Sequence, residues 1–161
     1  MDYLWSPWRY KYIATGGKDE GCIFCRAAAA DDDSRTHIIF RGIKNFIILN
    51  RYPYTTGHVM IVPYAHVADL MATDAETLTE MMQLAQKMQA ALEATYHPQG
   101  YNLGMNLGRA AGAGVEGHLH LHVLPRWSGD SNFMTTISET RVEPEDLEST
   151  YKKLLKALAL E

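Results

Sequence analysis

The chain has 161 residues, of which 47% are hydrophobic and 21% are charged, and its formal net charge is −4. This composition is typical of one globular domain over residues 1–161, and the acidic balance argues against a nucleic-acid coat or a basic membrane-surface protein. No stretch reaches the roughly 18 apolar residues of a membrane span, and the N-terminus lacks the features of a secretory signal, so we expect a cytoplasmic protein.

Three strands are predicted in the first half of the chain. Runs of β-branched and aromatic residues predict a hairpin over residues 37–42 and 46–50. A third strand is predicted over residues 57–63, where Pro63 ends it. These strands are adjacent in the sequence, which favours antiparallel pairing.

A long helix with a methionine-rich stripe follows. Thr73 to Glu76 fits a capping box, and His97-Pro98 predicts the end of the helix. The apolar side chains recur with the helical period of 3.6 residues; they are Leu78, Met81, Met82, Ala85, Met88 and Leu92.

Two more strands and a C-terminal helix complete the pattern. The strands are predicted over residues 101–107 and 118–125, and the helix over residues 143–161. Helices do not alternate with every strand, so a doubly wound fold is excluded. We expect an α+β fold, with about five antiparallel strands, one long helix and one C-terminal helix.

Residues 118–125 read HLHLHVLP, with three histidines at strand spacing. Side chains of a strand alternate between its faces, so His118, His120 and His122 share one face. Two chemistries suit three such rings. They can ligate a metal, or a neutral imidazole can attack phosphorus while its neighbours fix its tautomer.

A glycine-rich loop, NLGRAAGAGVEG at residues 106–117, leads into the first histidine. Glycines let backbone N–H groups approach an anion, although this loop is neither a P-loop nor a dinucleotide fingerprint. Beside three imidazoles, it indicates a phosphate site. Our candidate contacts are Asn106, Gly112, Gly114 and Val115.

The two cysteines, Cys22 and Cys25, form a C-x-x-C pair that favours zinc over redox chemistry, because an alanine-rich turn follows it. A structural zinc site takes four ligands, and histidines are the best candidates for the others. From spacing alone, His37, His58 and His66 are equally suitable.

The segment GHLHLHVLPRW resembles the signature of the histidine-triad (HIT) superfamily of nucleotidyl hydrolases and transferases. The similarity covers most of the chain, through CIFC, ILNRYPYTTGHVMIVP and NLGRAAGAGVEGHLHLHVLPRW. The opening LWSPWRYKY and the glycine loop look more like the branch that cleaves dinucleoside polyphosphates, such as diadenosine tetraphosphate, than the small phosphoramidases.

This resemblance implies a mechanism. His120 would attack the α-phosphorus and form a covalent nucleotidyl-histidine, which water or inorganic phosphate would then take up. The other ring nitrogen of His120 should donate to a backbone carbonyl, His122 would contact the phosphate or the ester oxygen, and Asn50 would bind the ribose hydroxyls. Zinc is implied as a structural cofactor, with the ligands Cys22, Cys25, His66 and His118. Relatives commonly dimerise, so we expect a homodimer.

The chain also departs from the superfamily pattern. Many members have a glutamine or serine three or four residues before the first histidine, where this chain has Gly114 and Val115. Stabilisation of the leaving group must then come from the backbone, from Asn106, or from the N-terminal arm (residues 1–20), which holds Arg9 and Lys11 among aromatic residues. That arm suits either packing or the stacking of a base.

Three alternatives remain open on the sequence. The first is an adenosine phosphoramidate hydrolase. The second is a metal-dependent hydrolase in which the three histidines hold a catalytic zinc and Glu116, on the same face, is the general base. The third is a zinc-stabilised module that binds nucleotides without turnover.

Overall fold

The computed structural model describes residues 21–131 and 144–159, so the N-terminal arm lies outside the described residues. The strands are β1 (Ile38–Arg41), β2 (Asn45–Leu49), β3 (Val59–Pro63), β4 (Gly100–Gly104) and β5 (Leu121–Arg126). The helices are α1 (Ile23–Ala28), α2 (Asp33–Thr36), α3 (Ala75–Tyr96) and α4 (Leu147–Leu158), with a 3-10 turn at Arg109–Ala111. In the described part of the chain, no helix is long and apolar enough to span a membrane.

The five strands form one antiparallel sheet in the order β1-β2-β3-β5-β4, which confirms the predicted α+β class. Because β5 pairs with β3, residues that are distant in sequence become neighbours across the sheet. In this register Ile48 lies opposite Met60, and Met60 lies opposite His122.

One face of the sheet carries the main core. Alternate residues of the strands pack against α3 and α4; Leu119, Leu121 and Val123 belong to this cluster, as predicted from the period of two. The helix stripe is confirmed at Met81 and Met88, which are buried, but Met82 is 53% exposed, because it lies on the side of α3 turned away from the sheet.

The opposite face is covered by α1. The ring of Phe24 packs there on a second apolar cluster that includes Ile48 and Met60. Arg41 holds this covering segment in place, since its guanidinium donates to the Ala28 carbonyl at 2.9 Å and pairs with Asp33 at 2.7 Å. The helix that carries Cys25 therefore packs over the sheet face that carries the histidines.

Two boundary predictions are corrected. Asp74, rather than Thr73, caps α3, because its carboxylate accepts the Thr77 N–H at 2.8 Å while the Thr73 hydroxyl donates to the Asp69 carbonyl. Regular pairing of β5 begins at Leu121, three residues later than predicted, because the Leu119 N–H donates to the Val67 carbonyl instead of to a neighbouring strand.

The C-terminal helix also begins later than predicted. It starts at Leu147, where the Asp146 carboxylate accepts the Ser149 N–H at 2.9 Å. Its buried Tyr151 and Leu154 pack into the main core, which fixes α4 beside α3.

Candidate functional site

A cavity of about 600 Å³ lies on the face of the sheet that α1 covers. Its walls come from α1, from the segment before β1, from the end of β2, from Met60 of β3, from the glycine loop, and from His120 and His122 at the start of β5. The structure brings all seven predicted catalytic and nucleotide-binding residues to this cavity; they are Asn50, Asn106, Gly112, Gly114, Val115, His120 and His122.

His120 is buried in the cavity wall, with 5% of its surface exposed. Its Nδ1 lies 2.8 Å from the His118 carbonyl oxygen, so Nδ1–H donates and the neutral ring keeps Nε2 unprotonated. Burial lowers the pKa of His120, partly opposed by this hydrogen bond. The ring is thus held neutral with a free Nε2 lone pair, and the expected hydrogen bond to a backbone carbonyl is present.

His122 takes the opposite tautomer because of His58. The Tyr54 N–H donates to His58 Nδ1 at 3.1 Å, so the proton of the His58 ring sits on Nε2. That Nε2–H donates to His122 Nδ1 at 2.9 Å, which leaves the His122 proton on its Nε2. His120 therefore offers a lone pair and His122 a hydrogen-bond donor, with ring centroids 4.9 Å apart.

Burial keeps this relay neutral. Desolvation, with the nearby charges of His122 and His120, lowers the pKa of His58 to about 3. Desolvation and the charge of His120 lower the pKa of His122 to about 4. Both rings are neutral at pH 7, as their hydrogen-bond directions require.

His58 is the residue of this candidate site that the sequence did not predict, since it was considered there only as a zinc ligand. It is 1% exposed and lies beneath His122 rather than beside the cysteines. Its place follows from the pairing of β3 with β5, which no local sequence signal specifies.

Asn50 lines the cavity, but its amide is also engaged within the protein. Its Oδ1 accepts the Tyr52 N–H at 2.9 Å, and its Nδ2 lies 3.3 Å from His58 Nδ1. The amide therefore orders the turn after β2. A ribose hydroxyl would have to use its remaining lone pair or hydrogen.

A second cluster joins the start of α1 to the segment before β5. One donor atom from each of four residues lies within 4.8 Å of the others; the residues are Cys22, Cys25, His66 and His118. Cys22 Sγ is 3.2 Å from His118 Nδ1, and Cys25 Sγ is 3.3 Å from His66 Nδ1. His118 Nε2–H donates to the Pro63 carbonyl at 2.9 Å, which leaves Nδ1 unprotonated beside the sulfurs.

This donor set fits a tetrahedral zinc ion, which takes thiolate sulfur and neutral imidazole nitrogen. The carbonyl partner of His118 is the kind of outer contact that orients a metal-ligating ring. The structure separates the other candidate ligands from the cysteines: His58 lies under His122, and His37 lies at the start of β1. Neither His120 nor His122 belongs to the cluster, so the three histidines do not converge on one ion.

Phe24 links the metal cluster to the cavity. Phe24 lies between Cys22 and Cys25 in the sequence, and its ring is buried. The ring contacts His118 edge-on at 5.4 Å and His120 at 5.1 Å, measured between centroids. A displacement of α1 would therefore move a side chain that packs on the candidate nucleophile.

The glycine loop is exposed, and its turn needs glycine at two points. Gly108 and Gly112 have φ angles of +78° and +85°, on either side of the 3-10 turn. Glu116 was expected on the histidine face, but it precedes β5, its side chain is 53% exposed, and it lies 3.7 Å from Arg109 Nε. It is not placed as a general base for the histidines.

Comparison with known proteins agrees with this geometry. The chain matches the HIT domain over residues 32–129. It is 37% identical over 162 residues to an AP-4-A phosphorylase of Mycobacterium tuberculosis, and the alignment covers 96% of this chain and 83% of that protein.

Two solved structures share the fold and part of the sequence. A Zn-bound histidine triad family protein from Mycobacterium smegmatis is 33% identical, with a TM-score of 0.72 over 87% of this chain and 94% of that one. A hypothetical histidine triad nucleotide-binding protein from Sulfolobus tokodaii is 26% identical, with a TM-score of 0.70 over 86% and 93%. On its sequence, its sheet and its histidine segment, this chain belongs to the HIT family.

Proposed function

We propose that the chain cleaves dinucleoside polyphosphates by transferring a nucleotidyl group through His120. The observation that carries the proposal is the hydrogen bond from His120 Nδ1–H to the His118 carbonyl, which leaves an unprotonated Nε2 on a ring that lines the cavity. The similar M. tuberculosis protein is named an AP-4-A phosphorylase, and we propose diadenosine tetraphosphate as the substrate of this chain.

In the first step, the His120 Nε2 lone pair attacks the α-phosphorus in line with the bond to the bridging oxygen. That P–O bond breaks, and ATP leaves with the electron pair. The Nε2–H of His122 donates to the departing oxygen, while backbone N–H groups of the glycine loop stabilise the nonbridging oxygens. The His118 carbonyl accepts from Nδ1–H as positive charge develops on the His120 ring.

In the second step, an acceptor attacks the phosphorus of the nucleotidyl-histidine and the P–N bond breaks, which restores neutral His120. Water as acceptor gives AMP, and inorganic phosphate gives ADP. ATP is the other product in both cases, so the acceptor alone distinguishes a hydrolase from a phosphorylase.

We also propose that zinc is bound by the four-residue cluster and has a structural role. Bound zinc would join α1 covalently to the segment that carries His118, and so hold the carbonyl that fixes the tautomer of His120. The residues that would hold it are Cys22, Cys25, His66 and His118. A homodimer and a cytoplasmic location stay predictions from the sequence.

The test is turnover of diadenosine tetraphosphate by wild type and by His120→Ala, with ³²P-labelled inorganic phosphate present. We expect wild type to give ATP with either labelled ADP or unlabelled AMP, and His120→Ala to lose at least about 1000-fold in kcat/KM. His97→Asn, at the exposed end of α3, is the matched control and should keep full activity.

A covalent intermediate supplies a second readout. With substrate labelled at the α-phosphate, rapid denaturation should trap label on wild type in an acid-labile, base-stable bond, and none on His120→Ala. Turnover that survives in His120→Ala would refute the mechanism. If wild type acts neither on this substrate nor on adenosine 5′-phosphoramidate, a nucleotide-binding module becomes the better account.

A further inference from the structure

The cavity ends, opposite the histidines, in a corner built by β1 and β2. The Leu49 N–H donates to the His37 carbonyl at 3.0 Å, so the start of β1 lies beside the end of β2. Arg35 comes just before this contact in α2, and Arg51 comes just after it. Both arginines are exposed and line the cavity, so we call these two residues the arginine corner.

The strand register gives the distance of this corner from the catalytic histidines. Ile38 pairs with Ile48, Ile48 with Met60, and Met60 with His122. Successive strands lie about 4.8 Å apart, so the β1 side of the corner, at Ile38, is roughly 14 Å from His122, and the β2 side, at Ile48, is roughly 10 Å from it. With the α-phosphate at His120, the nucleoside would extend across Met60 and Ile48, and the corner would meet its sugar and base.

The charges of the corner favour an anion. Among the described residues that line the cavity there is no carboxylate, and neither Arg35 nor Arg51 has an ion-pair partner in the described part of the chain. Of the nearby acids, Asp33 pairs with Arg41 at 2.7 Å, and Asp32 accepts from Ser34. The charge of Arg35 also acts on Asp32 and helps to lower its pKa, but the two side chains form no ion pair within 4.0 Å.

The nearest acid on the other side of the corner belongs to α4. Glu148 lies 4.0 Å from His37 Nε2 and does not line the cavity. Guanidinium groups suit phosphate oxygens because they can donate two parallel hydrogen bonds. The corner thus has positive charge, access and the right donors, with no acid facing it inside the cavity.

We propose that the arginine corner binds a second phosphate group on the nucleoside itself, a phosphate ester at the 2′- or 3′-oxygen of the ribose. Asn50, the candidate for the ribose hydroxyls, directly precedes Arg51. An arginine beside the ribose-binding residue is how dinucleotide-binding folds accept a 2′-phosphate. The inference rests on the proposed function for the position of the α-phosphate, and it deepens that function by naming a substrate class.

The same chemistry has another source, the distal phosphates of a polyphosphate chain that folds back over the nucleoside. Binding measurements separate the two. Calorimetric titration of wild type compares AMP with adenosine 2′,5′-bisphosphate and 3′,5′-bisphosphate, and separately with ADP and ATP. None of the first three has a leaving group at the α-phosphate, so turnover does not interfere.

We expect one bisphosphate to bind at least about fivefold more tightly than AMP, as charge-assisted hydrogen bonds from exposed arginines allow. Arg51→Gln and Arg35→Gln should each reduce this preference, and the double variant should abolish it, while AMP affinity changes less than about twofold because AMP has no second phosphate. The preference should also fall as salt rises. Lys87→Gln, which removes one charge from α3 on the other face of the sheet, should keep it.

Equal affinity for AMP and both bisphosphates would overturn the inference, and so would a preference that survives in the double variant. Equal losses for AMP and the bisphosphates would overturn it too, by assigning the arginines to the shared nucleotide. An arginine-dependent gain for ADP and ATP alone would assign the corner to the polyphosphate chain instead. The titration needs no catalysis, so a chain that binds the bisphosphate but never turns over diadenosine tetraphosphate would refute the proposed function and leave the corner intact.

Discussion

Acidification should destabilise the fold through the buried histidine relay. His58 has a pKa of about 3 in the folded chain, against 6.5 for a free imidazole, because burial disfavours its charged form. The unfolded chain therefore binds more protons than the folded chain between these two values, and stability falls as pH falls through this window. Above pH 6.5 the contribution of His58 is complete.

The magnitude follows from the same two values. Between pH 7 and pH 5, proton binding to the unfolded chain costs about 2 kcal/mol of unfolding free energy for His58 alone. His122, with a pKa of about 4, acts in the same direction. The two rings share a hydrogen bond and repel when charged, so their contributions are not independent, and we expect a total loss of roughly 2 to 4 kcal/mol.

Urea unfolding followed by circular dichroism, at several pH values from 7.5 to 5.0 and with zinc present, measures this slope. His58→Gln keeps an N–H donor for His122 but cannot titrate, so its slope should be smaller by at least about 1 kcal/mol over the same range. His97→Asn, in an exposed position with a left-handed backbone, should keep the wild-type slope. Since acid release of zinc affects all three proteins alike, equal slopes in wild type and His58→Gln would refute the reasoning.

Two further predictions concern the metal cluster and a tight turn. Cys25→Ser should lower the zinc content well below one ion per chain, as measured by inductively coupled plasma mass spectrometry after dialysis. Ser34→Ala, outside the cluster, should not change the zinc content. Equal zinc content in the two variants would contradict the assignment. Gly42→Ala should cost roughly 1 to 3 kcal/mol of unfolding free energy, because the new Cβ would lie 2.8 Å from the Asn45 carbonyl oxygen. In Gly100→Ala the new Cβ meets nothing within 4 Å, so this control should cost less. Equal losses would show that Gly42 is not sterically required.

Features that depend on local chemistry could be predicted from the sequence. The alternation of histidine with leucine identified the two faces of residues 118–123, because the period of a strand is fixed by its backbone. The pair of Cys22 and Cys25 and the glycine loop were recognisable because their residues lie close together in the sequence. The resemblance to the HIT superfamily then identified His66 among three equivalent histidines.

Features that depend on strand order could not be predicted in this way. The role of His58 requires β3 to lie beside β5, which places it against a residue 64 positions later in the chain. The arginine corner likewise requires β1 to start where β2 ends. The late start of β5 at Leu121 has a similar origin, since the Val67 carbonyl takes the Leu119 N–H in competition with strand pairing.

The spacing of the three histidines has a physical explanation in this arrangement. A step of two residues lets the carbonyl of His118 reach His120 Nδ1 while the His118 ring faces the cysteine sulfurs. The next step brings His122 against His58, whose proton forces the opposite tautomer. Because both Nδ1 atoms are engaged within the protein, Nε2 of His120 is left with a lone pair and Nε2 of His122 with a proton, on neighbouring uncharged rings. In the proposed function the three rings divide between metal binding, attack and donation, because each has a different hydrogen-bond partner although all three are histidine.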